Sequence, residues 1–397
     1  MKMSYRKMKL EEIGKIVSGA TPKTSTQDNF GGDIAWITPA DLSGYTKKYI
    51  SHGKRNITEM GYNSCSTQLM PKGSVLFSSR APIGYVAIAE NPLCTNQGFK
   101  SIVPNDLIDS EFLYYQLKYL SKSIQDKGTG TTFKEISAKT LGKIEIVVPL
   151  LSEQKNIVSR IEELFSKLDK GVETLQTIKQ QLAVYRQAVY SSNFNKIGDF
   201  RPIVDFFEIS GGLTKNSKRQ ELPQQVPYLR VANIYYNCLE LDVIKTIGVT
   251  EKELQKCSLK TSDLLFVEGN GSKSQIGRVA MWDGSIETCV HQNHLIRGRA
   301  NGKILPKYAL YYLISQEGRK QIVDIAKSTS GLYTLSINKV KNLQIPFCSR
   351  PEQETILNEI EARLSVCDSI EQTVDEALAQ ADAMRQSILK QAFEGEI

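Results

Sequence analysis

The sequence lacks the features that would place it in a membrane or in an oxidising compartment. No apolar run approaches the roughly 18 residues that a membrane helix needs, and the opening stretch MKMSYRKMKLEEIGKIV has no apolar run of a secretory signal. The seven cysteines are an odd number without a CxxC pair, which disfavours both a disulfide framework and a zinc site. These absences predict a globular protein of the reducing cytoplasm.

Motifs that carry catalysis are missing as well. GNGSKS at 269–274 lacks the Gly-Lys pair of a phosphate-binding loop, and no GxGxxG follows a predicted strand. NPLC at 91–94 lacks the second proline and the aromatic residue of an amino-methyltransferase motif. In HQNH, no helical carboxylate accompanies His291 and His294, so a polar strand or loop is favoured over a metal site. We therefore expect neither metal ligands nor catalytic residues in this chain.

What the sequence has is a net charge of +7 that is unevenly distributed. Residues 1–150 hold 19 Lys and Arg against 13 Asp and Glu, and residues 196–345 hold 21 against 14. Between these basic blocks, residues 151–195 hold 6 against 5, and the final block, 346–397, holds 4 against 11. Basic blocks suggest a polyanionic partner such as nucleic acid, although an excess of this size is also common in proteins that bind none.

The chain is an internal duplication. A shift of 199 residues places 136–194 on 335–393 without a gap, so that SEQKNIVSRIEELFSKLD at 152–169 falls on PEQETILNEIEARLSVCD at 351–368. The identical pairs are Glu153/Glu352, Gln154/Gln353, Ile157/Ile356, Ile161/Ile360, Glu162/Glu361, Asp169/Asp368, Arg186/Arg385, Gln187/Gln386 and Phe194/Phe393. Further upstream the copies align loosely, for example SVLF at 74–77 with DLLF at 263–266, and Cys94 and Gln97 with Cys289 and Gln292. Each half is therefore one globular unit followed by one helix.

Both repeated segments show apolar residues at alternating steps of four and three, the heptad period. The first seam comprises Ile157, Ile161, Leu164, Leu168, Gly171, Leu175, Ile178, Leu182, Tyr185 and Val189. The second comprises Ile356, Ile360, Arg363, Cys367, Ile370, Val374, Ala377, Ala381, Met384 and Ile388. A core helix in an ordinary bundle is the alternative, but the 40 residues from Ser152 to Ser191 far exceed the mean helix of about 11 or 12 residues. The length, about 60 Å, favours a long coiled-coil pair.

The ends of the second helix are also marked. Ser349 and Glu352 form a capping-box start, Pro351 falls in the first turn, and Gly395 suits the stop. If the two long helices pair with each other, the simplest path of the chain makes them antiparallel. The two basic units would then be related by a pseudo-two-fold axis and would match two half-sites on opposite strands of a duplex.

The globular units mix short strands, such as GSVLFSS and GRVAMW, with a longer helix, SEFLYYQLKYLSKSIQDKG in the first unit and KYALYYLISQEGRKQIVDIAK in the second. The predicted fold is therefore α+β. It has a first globular domain at 1–150, a central helix at 151–195, a second globular domain at 196–346 and a C-terminal helix at 347–397.

The polar loops of both units carry the two kinds of side chain that DNA binding requires. Cationic side chains can contact phosphates, and polar side chains with forked donors and acceptors can pair with base edges. In each half the loops at matching places stay polar: SGATPKTSTQ and SGGLTKNSKRQ, SSRAPIG and EGNGSKSQIG, GTGTTFK and STSGLYT. For any single residue, a solvated surface loop is the alternative interpretation. The candidate DNA-binding residues are Lys23, Lys47, Lys48, Lys54, Arg55, Ser79, Arg80, Lys134, Lys215, Lys218, Arg219, Asn270, Lys273, Ser274 and Gln275.

Two variable units that alternate with two similar long helices resemble the specificity subunit of a type I restriction-modification system, and the resemblance covers the whole chain. IGKIVSGATPKTSTQDNFGGDIAWITPADL resembles the opening of the first target-recognition domain of that family. PLLSEQKNIVSRIEELFSKLD resembles its central repeated region, and RQSILKQAFEGEI its C-terminal end. The second recognition domain, at VDFFEISGG, is more diverged.

The resemblance implies a division of labour with partner subunits. Each recognition domain would read one half of a bipartite DNA target, and the coiled coil would set the spacing and dock two methylation subunits. S-adenosylmethionine would be bound by those subunits, while ATP and Mg would belong to the restriction subunits of the full complex. The chain itself would be a non-catalytic DNA-binding subunit without a cofactor of its own.

Two other hypotheses remain open at this stage. A fused methyltransferase-specificity chain would need a cofactor-binding segment, for which the sequence has no room. A coiled-coil scaffold without sequence-specific DNA binding is the other alternative, and the polarity of both loop sets disfavours it.

Overall fold

The computed structural model describes residues 6–130, 134–326 and 333–395, which form two compact units. Unit 1 contains the chain up to Leu175 together with the segment from Glu376 onward. Unit 2 contains Gln176–Asp375. Each unit thus contains one globular domain, part of the helix that leaves that domain and part of the helix that comes from the other half of the chain.

In unit 1, a five-stranded sheet in the order β2-β9-β6-β7-β5 packs against helix α3. The central strand β6 is buried along its whole length, as its apolar run VLF predicts. The strands are β1 Arg6–Lys9, β2 Gly14–Ser18, β3 Phe30–Ile34, β4 Trp36–Ile37, β5 Tyr49–Ile50, β6 Val75–Ser79, β7 Ile83–Ala89, β8 Cys94–Thr95, β9 Lys100–Pro104 and β10 Glu145–Val148. The helices are α1 Leu10–Ile13, α2 Glu59–Asn63, α3 Ser110–Asp126, α4 Ala138–Gly142 and the long α5 Leu151–Phe194.

Unit 2 repeats the main features. Its four-stranded sheet has the order β12-β21-β17-β19, which corresponds to β2-β9-β6-β7, and the parallel pair β13–β20 corresponds to β4–β8. The strands are β11 Phe200–Pro202, β12 Phe207–Gly211, β13 Gln224–Leu229, β14 Ile234–Tyr235, β15 Cys238–Leu239, β16 Lys245–Val249, β17 Leu264–Val267, β18 Gly269–Asn270, β19 Val279–Met281, β20 Val290–His291, β21 Leu295–Ala300, β22 Tyr333–Thr334 and β23 Gln344–Pro346. The helices are α6 Glu251–Cys257, α7 Pro306–Ile314, α8 Gln316–Ala326, α9 Ile337–Lys341 and the long α10 Arg350–Glu394. The α+β prediction is confirmed.

The segment that was predicted to be a single helix in unit 2 is broken at Ser315. This residue is fully buried and extended, with φ −64° and ψ 166°, and separates α7 from α8. Its hydroxyl accepts a hydrogen bond from the Gly318 amide at 3.2 Å, which satisfies one of the free donors at the start of α8. A Cβ on Gly318 would lie 2.1 Å from the Tyr312 carbonyl oxygen, so the close packing of α8 on α7 requires glycine here.

The repeated Glu-Gln pair fixes the start of each long helix. The Ser349 amide and hydroxyl both donate to the Glu352 carboxylate, at 2.8 and 2.6 Å, which is the glutamate half of the predicted capping box. The next residue, Gln353, is fully buried, and its amide accepts from the Leu305 amide and donates to the Cys348 carbonyl, both at 2.9 Å. These bonds attach the first turn of α10 to the residue that precedes α7.

The counterpart in unit 1 is Gln154, which is also fully buried. Its side-chain oxygen accepts from the Asp109 amide at 2.8 Å, and its nitrogen donates to the carbonyls of Leu107 and Pro149 at 2.9 Å. Asp109 in turn caps α3 by accepting from the amides of its first turn. A buried amide with this many partners explains why the glutamine is retained in both copies.

The long helices pair in an antiparallel manner. In unit 2, Lys179 pairs with Asp375 and Arg186 with Asp368, both at 2.7 Å, so the residue number rises along one helix as it falls along the other. In unit 1, the pair is Asp169 and Arg385. This confirms the coiled-coil prediction made from the heptad spacing.

Most predicted seam residues are buried or half-buried, but both seams were partly misplaced: Tyr185 of the first is 48% exposed and Met384 of the second is 53% exposed. Ile370 is 40% exposed, whereas its neighbour Glu371 is half-buried and Leu364 is buried where Arg363 had been assigned. The reason is that a straight α-helix has 3.6 residues per turn, whereas a heptad pattern assumes 3.5. The predicted seam therefore moves gradually around the helix surface. The seam residues that are buried or half-buried are Ile157, Ile161, Leu164, Leu168, Leu175, Ile178, Leu182, Val189, Ile356, Ile360, Cys367, Val374, Ala377, Ala381 and Ile388.

Each domain shares one apolar core with the ends of the helices. In unit 1, Ile157, Ile161 and Phe393 belong to the same buried cluster as Phe112 of α3. In unit 2, Phe194 packs edge-on against Tyr308, with ring centroids 5.3 Å apart. Phe393 packs in the same manner on Phe112, at 5.4 Å. The domains are therefore attached to the helices by burial of apolar surface, which is the main driving force for such packing.

None of the helices within the described part of the chain is both long and apolar enough to cross a membrane.

Candidate nucleic-acid interface

Four polar loops of unit 1 meet at one edge of the domain. The Ala20 amide donates to the Thr95 carbonyl at 3.0 Å, the Ser79 amide donates to the Gly98 carbonyl at 2.7 Å, and the Ile136 amide donates to the Ser79 carbonyl at 3.0 Å. These contacts join loops that are far apart in sequence into one continuous surface. We call this surface rim 1; it comprises residues 19–29, 78–82, 95–98, 128–130 and 134–136.

Unit 2 joins the corresponding loops by corresponding bonds. The Leu213 amide donates to the His291 carbonyl at 2.9 Å, the Glu268 amide to the His294 carbonyl at 3.0 Å, and the Leu335 amide to the Glu268 carbonyl at 2.6 Å. We call this surface rim 2; it comprises residues 211–219, 268–277, 291–294 and 333–335. The matched polar loops of the sequence are thus neighbours in each unit, although residues 131–133 of GTGTTFK and 328–332 of STSGLYT lie outside the described residues.

A glycine at matching places allows each rim to close. A Cβ on Gly19 would lie 2.1 Å from the Asn96 carbonyl oxygen, and a Cβ on Gly212 would lie 2.2 Å from the His291 carbonyl oxygen. Any side chain would push the two loops apart. Gly19 of SGAT and Gly212, the second glycine of SGGL, therefore have the same steric role in the two rims.

The structure places only some of the unit 1 candidates on rim 1. Lys23 and Lys134 are exposed there, and Arg80 is half-buried with its guanidinium 3.7 Å from Glu135. The Arg55 guanidinium lies 3.9 Å from the ring centroid of Phe30. Phe30 is the residue that directly follows the rim loop 19–29, so Arg55 is next to rim 1. The two remaining exposed candidates are outside rim 1; they are Lys47 and Lys54.

Three candidates are buried or are bound by other side chains instead. Ser79 is fully buried in β6 and cannot face a ligand in this conformation. Lys48 pairs with two glutamates, described below. Arg219 is held by Glu253 at 2.7 Å and by the carbonyls of Thr214 and Gly248, at 2.7 and 2.9 Å. Hydrogen bonds from Arg219 and from the Thr250 amide lower the pKa of Glu253 to about 2. The sequence could not reveal the carboxylates that bind Lys48 and Arg219, because these carboxylates are distant along the chain.

The remaining unit 2 candidates are of two kinds: exposed side chains, and half-buried amides that shape a loop. Lys215, Lys218, Lys273 and Ser274 are exposed on rim 2. Asn270 accepts from the Ser272 amide at 2.9 Å, which shapes the loop after β18. Gln275 accepts from the Arg278 guanidinium at 3.2 Å. Both amides are half-buried, so their main contribution is to hold the loop that presents Lys273.

Sequence reasoning missed an aromatic cluster beside rim 2. Tyr235 and Tyr236, at the tip of the β14–β15 hairpin, remain 45% and 36% exposed. The Arg278 guanidinium lies 4.7 Å from the Tyr235 ring centroid, and that of Arg319 lies 4.8 Å from the Tyr236 ring centroid. The Tyr236 hydroxyl donates to the Ser274 carbonyl and so attaches the hairpin to rim 2. Two adjacent tyrosines in a turn were the only available sequence signal.

The HQNH segment contributes to the fold and to the rim rather than to a metal site. His291 is buried, and its Nδ1 lies 3.2 Å from the Cys257 carbonyl. Burial, with the charge of Arg297, lowers the pKa of His291 to about 4. His294 is exposed on rim 2 and lies 3.1 Å from the Glu268 carboxylate. No group of His, Cys, Asp and Glu with metal-binding geometry occurs among the residues that the structure describes.

Each rim therefore combines exposed ammonium groups with amides and hydroxyls, and rim 2 also has the two hairpin tyrosines beside it. Ammonium groups attract phosphates, and amides and hydroxyls can pair with base edges. Exposed rings with a guanidinium behind them can contact sugars and bases. This composition suits a surface that binds a polyanion and also discriminates among its bases.

Two parts of the chain, residues 3–183 and 198–380, match the family model described as the type I restriction modification DNA specificity domain. Among curated proteins, the chain is 32% identical over 367 residues to the type I restriction enzyme MjaIX specificity subunit of Methanocaldococcus jannaschii, with 86% of this chain and 83% of the relative covered. It is 29% identical over 344 residues to the EcoKI specificity subunit of Escherichia coli K12, with 80% and 73% covered.

Two solved structures share the fold. One chain, from work on complex assembly and conformational transition of the type I restriction-modification system, aligns with a TM-score of 0.73 over 99% of this chain and 98% of its own length. The HsdS subunit from Thermoanaerobacter tengcongensis aligns with a TM-score of 0.56 over 99% and 97%. Both are 16% identical to this chain, so the likeness is one of fold.

Proposed function

Because this chain belongs to the type I restriction-modification DNA specificity family, whose role is DNA target recognition, we propose that rim 1 and rim 2 each read one half of a bipartite DNA target. The single observation that carries this is the repeated construction of the two rims. In both units, loops that stay polar in sequence are joined by equivalent hydrogen bonds into one exposed surface. Two similar readers on one chain fit a target of two half-sites.

In this proposal, exposed cations provide affinity and the rim's polar side chains provide discrimination. Lys23 and Lys134 in unit 1, and Lys215, Lys218 and Lys273 in unit 2, would contact phosphates. Gln97 of rim 1 and Asn293 of rim 2 have side chains at the surface or near it and carry the amide forks that pair with adenine edges. The remaining rim residues would fix the shape of the loops.

The long helices would have two further roles. As continuous helices of 44 and 45 residues, α5 and α10 would set the spacing between the half-sites and would dock two methylation subunits. In the full complex, restriction subunits would join them. The chain would act in the cytoplasm, where the DNA is.

We propose no catalytic step for this chain itself. S-adenosylmethionine would be bound by the methylation subunits, which would carry out adenine methylation. ATP and Mg would be used by the restriction subunits. The specificity chain would bind none of these cofactors and would act only by choosing the DNA site.

Selection from random-sequence duplex DNA, with the full-length chain bound to its methylation subunits, tests the proposal. The expected product is a bipartite site with a fixed spacer, and exchange of residues 1–150 for another recognition domain should change only one half-site. Selection of one contiguous site would contradict the two-reader geometry. Binding that is weak, non-selective and independent of salt would favour the scaffold alternative, since phosphate contacts release counterions.

A further inference from the structure

Glu162 of α5 is held by a lysine from the globular domain. The Lys48 ammonium lies between Glu162 and Glu111 of α3, 3.0 Å from the latter, and 5.8 Å from the ring centroid of Tyr115. The Tyr115 hydroxyl donates to Glu162 at 3.3 Å, and the Tyr49 hydroxyl donates to Glu111. Burial disfavours the charged amine, but the hydrogen bonds and charges of both glutamates outweigh it and raise the pKa of Lys48. One ammonium thus links the segment before β5, α3 and the long helix.

Unit 2 holds the counterpart, Glu361, with a lysine of different origin. Lys307, in the first turn of α7, pairs with Glu361 at 2.6 Å, and its ammonium lies 5.8 Å from the ring centroid of Tyr311. Tyr311 occupies the place of Tyr115 in the duplicated helix. The glutamate, the ring and the ammonium are therefore repeated, but the chain position that supplies the ammonium is not. The internal duplication does not account for an ammonium group at the same place when it comes from a different chain position. The contact between the ammonium and the glutamate is therefore the feature that both units retain.

The position of the glutamates along the helices gives the contact a geometric effect. Glu361 lies eight residues after Gln353, which corresponds to about 12 Å along the helix axis. Gln353 fixes the first turn of α10 to Leu305, and Lys307 fixes the helix again two turns later. Two polar attachments on either side of a shared apolar core determine the angle between a domain and the helix that supports it.

Stability alone is a poor explanation for the pair in unit 2. Lys307 and Glu361 are 43% and 42% exposed, and exposed ion pairs contribute little to the free energy of folding. The shared core, which includes Ile360 and Leu364, supplies the attachment energy instead. Loss of this contact should change the free energy of folding little, yet each unit forms it with a lysine from a different position. Such a contact is better suited to orienting the domain on the helix than to holding the two together.

We propose that the contacts Lys48–Glu162 and Lys307–Glu361 are orientation clamps, which set the angle of each recognition domain on its long helix and thereby the spacer length that the chain accepts between half-sites. This inference rests on the proposed function. The four side chains are positioning residues and do not touch DNA. Lys48, a DNA-binding candidate by sequence, is reassigned to this role.

Charge reversal in unit 2 tests the clamp. The full-length chain, bound to its methylation subunits, is used to select duplexes in which both half-sites are fixed and the spacer length varies. With Lys307→Glu, the preference for the original spacer over one that is a base pair longer or shorter should fall about tenfold, or the preferred length should change, while the bases of each half-site stay the same. Lys307→Glu combined with Glu361→Lys should restore the original preference.

A neighbouring pair on the same helix provides the control. Arg363 and Glu359 also form an exposed pair, at 2.6 Å with 45% and 47% exposure, but both belong to α10. Arg363→Glu should leave the spacer preference unchanged. If Lys307→Glu does not fold, as judged by its helical circular dichroism, Lys307→Gln replaces it.

The outcomes separate the clamp from the function on which it rests. An unchanged spacer preference in a folded Lys307 variant overturns the clamp, and so does a lost preference that the double variant fails to restore. Failure of the unaltered complex to select any bipartite site overturns the proposed function instead.

Discussion

The Arg186 guanidinium lies 2.7 Å from the Asp368 carboxylate in unit 2, and the same contact occurs in unit 1 with the partners exchanged. A shift of 199 residues converts Arg186 into Arg385 and Asp368 into Asp169, which also pair. Each helix thus supplies the aspartate from its first half and the arginine from its second half. This reciprocal arrangement arises only if two similar helices run antiparallel. It explains why residues that are far apart in the repeated segment are retained together.

Charged residues in the seam should weaken the helix pair. Leu168 and Leu175 are half-buried, so replacing either with Glu should lower the free energy of unfolding by about 1–3 kcal/mol. The double variant should also lose the fixed spacer between half-sites. Denaturant unfolding measures the first effect, with Val184→Glu as the control because Val184 is exposed on the same helix. Equal losses for seam and control variants would contradict the assignment of the seam.

The buried glutamine at each helix start should be intolerant of apolar replacement. Gln154→Met keeps the approximate size but leaves the Asp109 amide and the Leu107 carbonyl without their partner. The expected loss is about 2 kcal/mol or more, since unsatisfied buried polar groups retain their desolvation cost. Thermal unfolding of Gln154→Met should be compared with that of Gln180→Met, an exposed site on the same helix. A similar melting temperature for both variants would show that the bonds are not needed.

Gly171, which interrupts the first seam, should be replaceable with a gain in stability. A Cβ built there meets no atom within 4 Å, and the residue lies within the continuous helix α5. Gly171→Ala should therefore raise the free energy of unfolding by about 0.5–1 kcal/mol, because the unfolded chain loses freedom. Gly19→Ala, which would clash with the Asn96 carbonyl, should have the opposite sign. Destabilisation by Gly171→Ala would contradict this expectation and show that the helix needs glycine at this position.

His291 should make the protein less stable in mild acid. Its pKa, lowered from 6.5 to about 4, means that the folded state resists a proton that the unfolded state accepts. Stability is then full above pH 6.5 and declines as the pH falls towards 4, by about 3 kcal/mol from this group. His291→Gln should flatten this part of the pH dependence. Parallel slopes for the two proteins in denaturant titrations would rule out His291 as the source.

The hairpin tyrosines should contribute to DNA binding in unit 2. Tyr235→Ala with Tyr236→Ala removes two exposed rings beside rim 2, and the expected loss in affinity is about tenfold or more, with a larger effect on the second half-site. Phenylalanine at both positions should retain most of the binding. Tyr185, an exposed tyrosine on α5, provides the control substitution to Ala. Equal losses for the hairpin variant and the Tyr185 variant, in quantitative binding assays at fixed salt, would contradict a ring contact with DNA.

By itself, the sequence determined the duplication, the two long helices, the α+β class of each half and the polar loops, because periodicity and repetition are local properties of a chain. Ser349 with Glu352 and the stop at Gly395 were predictable for the same reason, and the stop is seen in the left-handed φ of 78° at Gly395. The family resemblance rested on the same segments.

Only the tertiary structure decided which polar residues are free to bind. In sequence, Lys48 and Arg219 resemble Lys23, since all three are cationic residues in polar segments. In the structure, Lys48 and Arg219 are bound by Glu162 and Glu253, which lie 114 and 34 residues away in sequence. Packing between distant segments decides whether a cation is bound by such a carboxylate. The same packing decides the break at Ser315 and the exposure of Ile370. Local pattern specifies the elements of this protein, whereas the pairing of distant side chains specifies its binding surface.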